Sequence, residues 1–251
     1  MKKIYVRRQY SLIILSMVVI ACYVAPSPIY RLSPLSDNTF WLFGQEYTRA
    51  ANENMEIAIA FERMIDENII FDVEISNISN QTILISPENF YYLPVDSIGT
   101  AGGHPKTKIL AVDPEIKLQE IDLEISKKTA KYRSDTGTDA AISLLDLIAD
   151  MSTMGKEKTR EESEKENQED MDREESKYIR DETYKSEIFN LNALRDEWEL
   201  STIRKTSLLP DTYMQGRLFF PYRTGIKYMK IYIPVNDDLL TFTFLVERQS
   251  L

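Results

Sequence analysis

The sequence predicts a mainly β fold, a two-layer antiparallel sandwich interrupted by a long helical insertion. Before residue 112 and after residue 200, several short segments alternate apolar and polar residues, as strands with one buried face do. Between them, in residues 113–200, apolar residues recur at the three- and four-residue spacing of helices. About eight short strands are expected, which suits a sandwich. The chain of 251 residues is long enough for one such domain with extensions.

The N-terminal segment has the features of an export signal. Basic residues at positions 2, 3, 7 and 8 precede an apolar stretch at residues 11–21. That stretch is shorter than the roughly 20 residues that a membrane-spanning helix needs. Residues 19–22, Val-Ile-Ala-Cys, resemble the lipobox of bacterial lipoprotein signal peptides, and Cys22 is the only cysteine of the chain.

The lipobox resemblance implies a location and a modification. Residues 1–21 would be removed as a signal peptide, and the sulfur of Cys22 would carry a diacylglycerol that anchors the chain to a membrane of the bacterial cell envelope. Acyl chains hold a protein at a bilayer because each buried methylene contributes about 0.8 kcal/mol. An ordinary secretory signal and an uncleaved anchor remain alternatives, and neither the leaflet nor the choice of inner or outer membrane follows from the sequence.

The residues after Cys22 are expected to form a tether that leads into the first strands. Residues 22–38 contain three prolines and several serines, which indicates an extended tether. The first part of the sandwich is expected at 39–112. Within it, residues 55–61 and 71–75 alternate as half-buried strands on either side of a turn at 66–68, and shorter strands follow at 82–85 and 89–93.

The helical insertion is expected at 113–200. Asp113, Pro114 and Glu115 form a good helix start, with an N-cap residue, a proline in the first turn and an acid near the positive helix end. A break is expected at 134–138, before a second helix whose apolar residues include Leu144 and Ile148. Residues 156–187 are dominated by charge, which indicates either a solvated helix or a disordered loop. The insertion therefore predicts a helical hairpin or arm.

The last strands of the sandwich are expected at 201–251. Residues 71–93, FDVEISNISNQTILISPENFYYL, together with the later LLPDTYMQGRLFFPY, MKIYIPV and LTFTFLV, resemble immunoglobulin-like (telokin-like) domains of small secreted bacterial lipoproteins. The resemblance implies an immunoglobulin-like antiparallel β-sandwich. It implies almost no chemistry, because that family is largely of unknown function.

The sequence contains no catalytic or metal-binding pattern. His104 is the only histidine, and one histidine with one cysteine cannot form the set of ligands that zinc requires. Paired acids are frequent, but most lie in the charge-rich segment, where a solvated face is expected rather than a buried catalytic pair. Asp237 and Asp238 could contact Ca²⁺, but no loop of spaced oxygen ligands surrounds them. We expect no enzyme activity, no cofactor and no metal.

The sequence favours a binding role. The formal net charge of −10 argues against nucleic acid as a partner. Tyr91, Tyr92 and Tyr222 lie in or beside aromatic-rich strands and are expected to present rings on an outer surface. The leading hypothesis is a membrane-anchored, non-catalytic binding or assembly module whose helical insertion contacts an envelope protein or a second copy. A binder of envelope glycans or small ligands through exposed tyrosines is the alternative, and an unrecognised hydrolase is a third.

Overall fold

The computed structural model describes residues 29–65, 67–95, 107–153 and 160–249. The signal peptide expected at 1–21, the lipid site Cys22 and the histidine His104 lie outside these ranges, so those expectations stay predictions.

The described residues form twelve strands, two long helices and one short 3₁₀ helix. The strands are β1 (Ile29–Pro34), β2 (Thr39–Leu42), β3 (Gln45–Ala51), β4 (Met55–Ile65), β5 (Asn68–Asn77), β6 (Ile83–Ile85), β7 (Tyr91–Val95), β8 (Ile109–Leu110), β9 (Thr206–Leu208), β10 (Tyr213–Pro221), β11 (Tyr228–Val235) and β12 (Asp238–Gln249). The helices are α1 (Pro114–Thr153) and α2 (Arg160–Ser201), and the 3₁₀ helix is Pro87–Asn89.

The strands assemble into antiparallel sheets. Sheet 1 has the order β1-β12-β11-β7-β8, sheet 2 has the order β10-β5-β4-β3-β2, and β6 pairs with β9. The prediction of antiparallel strands with an inserted pair of helices is confirmed, but the described fold is mixed rather than mainly β, because the two helices contain 40 and 42 residues. The strands outnumber the eight expected, because short edge strands such as β2 and β8 carry little alternation of their own.

One apolar core joins the two large sheets. Phe71 of β5 packs against Phe244 of β12 with ring centroids 5.0 Å apart, although the two strands belong to different sheets. Residues expected to face inward, such as Ile57, Val73 and Ile231, are fully buried. The alternation is therefore explained, since successive strand residues point to opposite faces of a sheet.

The strand register defines two ends of the β-structure. At the first, which we call the Ile29 end, Ile29 pairs with Gln249 and Tyr30 packs against Tyr222. At the opposite end, the side chain of Asn54, in the β3–β4 turn, donates a hydrogen bond to Asp238 at the start of β12. Because β3 begins at the β2–β3 turn and runs to the β3–β4 turn at that opposite end, the β2–β3 turn lies at the Ile29 end.

The start of the β-structure corrects the expected tether. Residues 29–34, assigned to a tether over 22–38, form β1, in which Pro34 pairs with Phe244. Pro34 is tolerated because β1 is the edge strand of sheet 1, where a missing N–H does not interrupt the ladder. Residues 29–34 are therefore not part of a tether, residues 35–38 are a short connection between strands, and the rest of the expected tether, 22–28, lies outside the described residues.

The helices correct a second expectation. The backbone N–H of Glu115 donates to the Asp113 carboxylate at 2.9 Å, so α1 begins at the predicted cap. No break occurs at 134–138, because α1 continues unbroken past Gly137 to Thr153. The charge-rich residues from Arg160 onward form α2 rather than a loop. Long helices of this polarity are supported by their partner helix rather than by burial in a core.

Candidate binding surfaces

Tyr91 lies on sheet 1 with little of its ring free. It stacks on Tyr232 of β11 at a centroid distance of 4.8 Å and an interplanar angle of 6°. The ammonium of Lys108 lies 3.7 Å from the same ring centroid. A ring with a stacked tyrosine on one face and a cation over it offers no open face for a sugar. Tyr91 therefore packs within the surface of sheet 1 and is not available to stack on a ligand.

Tyr92 contradicts its predicted place on the surface. Its side chain is fully buried in the core against Phe220, and its hydroxyl donates a hydrogen bond to the carbonyl of Pro221 at 2.9 Å. Burial raises the pKa of Tyr92 to about 12. The expectation of an exposed ring was wrong for this residue, because the neighbours Tyr91 and Tyr92 point to opposite faces and the inward one is Tyr92.

Tyr222 is half-buried at the Ile29 end of the β-structure. It packs on Tyr30 with ring centroids 4.9 Å apart and contacts the main core. Burial and then the hydrogen bond with Tyr30 raise its pKa above the ordinary tyrosine value. The three predicted tyrosines therefore lie on an outer sheet face, in the core and at one end, and they do not form a common surface.

A cleft of about 350 Å³, which no pattern in the sequence predicts, lies on the outer face of sheet 2. Its lining includes three aromatic rings, two carboxylates and three further polar or charged side chains: Phe40, Phe43, Tyr47, Asp72, Glu74, Gln45, Arg49 and Gln215. The sequence signal was weak, because the short strands β2 and β3 form this wall and only the Phe43-Gly44 pair marks their turn.

Asp72 is held in the cleft by two donors. The hydroxyl of Tyr47 donates to it at 2.5 Å, and the amide of Gln215 donates at 3.1 Å. Burial, followed by the bond to Asp72, raises the pKa of Tyr47, so this hydroxyl stays a donor and does not act as a base near neutral pH. The cleft can accept hydroxyl or ammonium groups on its carboxylates, whereas the ring of Phe40 is already stacked on Tyr47 at 5.3 Å with the guanidinium of Arg49 5.0 Å from its centroid.

A second cavity, of about 240 Å³, lies at the end opposite Ile29 between Asn54, Gln81 and the turn carrying Asp237 and Asp238. Asp238 already accepts the hydrogen bond from Asn54 at 2.8 Å. Among the residues that the structure describes, no group of three or more His, Cys, Asp or Glu side chains is placed to hold a metal ion. The cavity is therefore a polar depression between turns.

The helices form an arm, by which we mean α1 and α2 together, and its base is docked on sheet 2. Trp198 of α2 stacks on Phe219 of β10 at 4.3 Å, and Leu118 and Ile121 of α1 join the same apolar cluster with Ile70 of β5. Beside this cluster, Arg217 of β10 makes two hydrogen bonds to Glu62 and one to Glu197. Apolar packing and partly buried charge pairs thus fix the base.

The middle of the arm is also paired. Tyr132 of α1 stacks on Tyr184 of α2 with ring centroids 4.1 Å apart, and the Tyr132 hydroxyl donates to Asp181 at 3.1 Å. Lys128 of α1 contacts Glu187 of α2 at 2.9 Å. The two helices therefore remain in contact well beyond the sheet.

The distal part of α1 is different, because its apolar side chains lie in solvent. Four of them have between 55% and 64% of their surface exposed: Leu144, Leu145, Leu147 and Ile148. The first residues of α2, 160–170, contain no apolar side chain. The hairpin thus leaves an apolar face on α1 that its own second helix does not cover.

The β2–β3 turn forms a second exposed apolar site. Trp41, Leu42 and Phe43 have 60%, 43% and 96% of their surface exposed. Phe43 and Gly44 have φ angles of 48° and 81°, as in a two-residue type I′ hairpin turn. A glycine favours this geometry, but a phenylalanine does not. The presence of phenylalanine at position 43 is therefore explained neither by the backbone conformation nor by burial of its ring.

Comparisons with models of protein families, with curated proteins and with solved structures find no match to this chain. Neither α1 nor α2, the long helices that the structure describes, is apolar enough to cross a membrane.

Proposed function

We propose that the protein is a lipid-anchored, non-catalytic assembly module of the bacterial envelope, and that its arm associates with a second copy. The observation that carries this proposal is the uncovered apolar face of α1 at Leu144, Leu147 and Ile148. The docked base of the arm supports the same reading, since it holds the apolar face away from the β-structure in a fixed direction.

The anchor is supported by the sequence before Ile29. The basic residues, the short apolar stretch and Val-Ile-Ala-Cys at 19–22 all agree with a lipidated Cys22. Only six residues separate Cys22 from β1, and a fully extended chain of this length spans at most about 25 Å. A lipid on Cys22 would therefore hold the Ile29 end close to the bilayer.

The proposed fold is an immunoglobulin-like sandwich with the arm inserted between β8 and β9. Two five-stranded antiparallel sheets that share one core support this assignment. Such a platform is rigid, and the proposed role requires rigidity because the arm must present its apolar face in a constant direction.

Self-association is preferred over another partner because the face is self-complementary. A single row of leucine and isoleucine on one helix can pack against the same row of a second copy related by a two-fold axis. The first residues of α2, 160–170, are charged or polar, so they offer no apolar packing to the exposed face of α1. The same charges keep a single copy of the arm soluble.

The test compares the oligomeric state of matched variants of the full chain by sedimentation in detergent. Leu144→Gln with Leu147→Gln is expected to convert a concentration-dependent dimer into a monomer. Leu123→Gln is the control, since this side chain is 54% exposed on the docked half of the same helix. A wild-type monomer at all concentrations would overturn self-association and leave an envelope protein as the partner to be sought by cross-linking.

Lipidation is tested separately on Cys22. Radiolabelled palmitate is expected to be incorporated into the wild-type chain and not into Cys22→Ser, which should accumulate as an uncut precursor. Equal labelling of both chains would rule out the anchor.

The cleft on sheet 2 favours a second candidate function, the binding of a small polyhydroxylated or amine-bearing ligand. Asp72 and Glu74 offer carboxylate acceptors in this cleft, to which hydroxyl and ammonium groups can donate hydrogen bonds. Titration with envelope glycan fragments would test it, with Glu74→Gln expected to weaken binding and Tyr91→Phe, outside the cleft, to leave it unchanged.

A further inference from the structure

We propose that the β2–β3 turn, through Trp41, Leu42 and Phe43, inserts into the surface of the bilayer to which the chain is anchored. This inference rests on the membrane attachment proposed above and adds the orientation of the β-structure on the membrane.

The turn has the chemistry of an interfacial membrane contact. Trp41 is 60% exposed and Phe43 is 96% exposed, and the two project from the tip of a hairpin at the edge of sheet 2. Tryptophan and phenylalanine with leucine favour the boundary between headgroups and acyl chains. The positive φ of Phe43 places an aromatic ring where asparagine or glycine would fit the backbone better, so the ring itself is what the tip presents.

The turn also lies on the correct side of the molecule. It points to the Ile29 end, where the described chain begins and where residues 22–28 lead back to the proposed lipid. The limit of about 25 Å on that connection brings this end to the bilayer whatever path the residues take. The opposite end, with Asn54 and Asp238, would face away.

The charges at the Ile29 end suit phospholipid headgroups. Exposed basic side chains are present on β1, β12 and the connection between β10 and β11, at Arg31, Arg223, Lys227 and Arg248. Glu67 and Glu247 are the exposed acids described beside them. In a chain with a formal net charge of −10, four exposed basic side chains at the same end of the β-structure as the turn favour an anionic lipid surface over another copy of the same acidic protein.

Tryptophan fluorescence gives a direct test, because the chain has only two tryptophans, Trp41 and Trp198. Trp198 is buried between α2 and sheet 2, so a change in solvent or lipid exposure reports on Trp41. The purified full chain is incorporated into vesicles of phosphatidylcholine and phosphatidylglycerol whose acyl chains carry bromine, which quenches tryptophan on contact. Trp41 is expected to be quenched by the brominated chains and protected from aqueous acrylamide. Trp41→Phe is expected to remove the quenched component, and Phe43→Asn to reduce it strongly.

Leu209→Asn serves as the matched control, since Leu209 is 59% exposed but lies by the opposite end, where Asp211 bonds to Asn77. It is expected to leave the quenching unchanged. The inference would be overturned if, in vesicle-bound chain, the fluorescence of Trp41 is quenched by acrylamide and not by the brominated lipid. It would also be overturned if, in detergent, the protection of Trp41 from acrylamide increases with protein concentration, because that would indicate a contact between copies.

The failure of the anchor would be recognised separately. An intact mass of the same preparation reports whether Cys22 carries lipid, and the fluorescence is read only from chain that floats with the vesicles. A floating chain with water-exposed Trp41 disproves insertion alone, while a chain that does not float disproves both proposals.

Discussion

Trp198 stacks on Phe219 with ring centroids 4.3 Å apart, and this contact fastens the arm to sheet 2. Trp198 is the largest side chain of the cluster at the base of the arm and is only 6% exposed. Trp198→Ala is expected to lower the free energy of unfolding by about 3 kcal/mol, since a buried ring is lost and a cavity remains. Urea denaturation followed by circular dichroism measures the change.

The control for this variant is Phe189→Ala on the same helix. Phe189 is 73% exposed, so its removal is expected to change stability by less than about 0.5 kcal/mol. Equal losses for the two variants would show that the arm is not held by the Trp198 contact.

Gly216 permits the close approach of the chain that leaves α2. A Cβ built at Gly216 would lie 3.0 Å from the backbone nitrogen of Ile203 and 3.0 Å from the carbonyl oxygen of Ser201. Gly216→Ala is expected to destabilise the protein by about 1–3 kcal/mol, because backbone atoms must move to make room. Gly137→Ala is the matched control, since that Cβ meets nothing within 4 Å on α1 and should stabilise the helix by about 0.5–1 kcal/mol. Thermal unfolding that shifted in the same direction for both would contradict this account.

Tyr92 predicts how stability depends on alkaline pH. Its pKa is raised from 10.0 to about 12, so the neutral phenol stabilises the fold below pH 10, and this contribution is lost as pH rises through about 12. The loss attributable to Tyr92 is about 2–3 kcal/mol. Tyr92→Phe is expected to flatten the profile over this range while costing about 1 kcal/mol at neutral pH through the lost bond to Pro221. Tyr213→Phe, 68% exposed, should keep the wild-type profile, and identical slopes for all three chains would refute the assignment.

Phe43 predicts a gain of stability on substitution. Its φ of 48° is unfavourable for phenylalanine and readily adopted by asparagine, so Phe43→Asn is expected to raise the free energy of unfolding by about 0.5–1 kcal/mol. Phe43→Val should lower it, because β-branched residues are poorest at positive φ. Denaturant titration of the two variants in detergent separates this backbone effect from membrane contact. An unchanged or lower stability for Phe43→Asn would mean that the ring packs in solution.

Several features of the fold could be predicted because they depend on local periodicity. The strands around Ile57, Val73 and Ile231 alternate strictly, and the N-cap at Asp113 places the start of α1 correctly. The predicted break at 134–138 failed because α2 contacts α1 on both sides of Gly137, at Tyr132 and at Asp139, and these contacts offset the cost of about 1 kcal/mol of a glycine in a helix. The choice between a helix and a loop for the charge-rich segment 156–187 could not be made for the same reason, since charge composition does not indicate whether a neighbouring helix is present.

The candidate sites were harder to predict, because they depend on which residues meet across distant parts of the chain. The sequence by itself determined the β-helix-β organisation and the acidic charge, and the resemblance of residues 19–22 to a lipobox stays a prediction. Only the tertiary structure decided that Tyr92 faces inward, that Asp72 meets Tyr47, and that Phe43 lies at the same end as Ile29. Period and composition are carried by neighbouring residues, whereas sheet order and register bring together residues far apart in the chain, and no local pattern encodes that pairing.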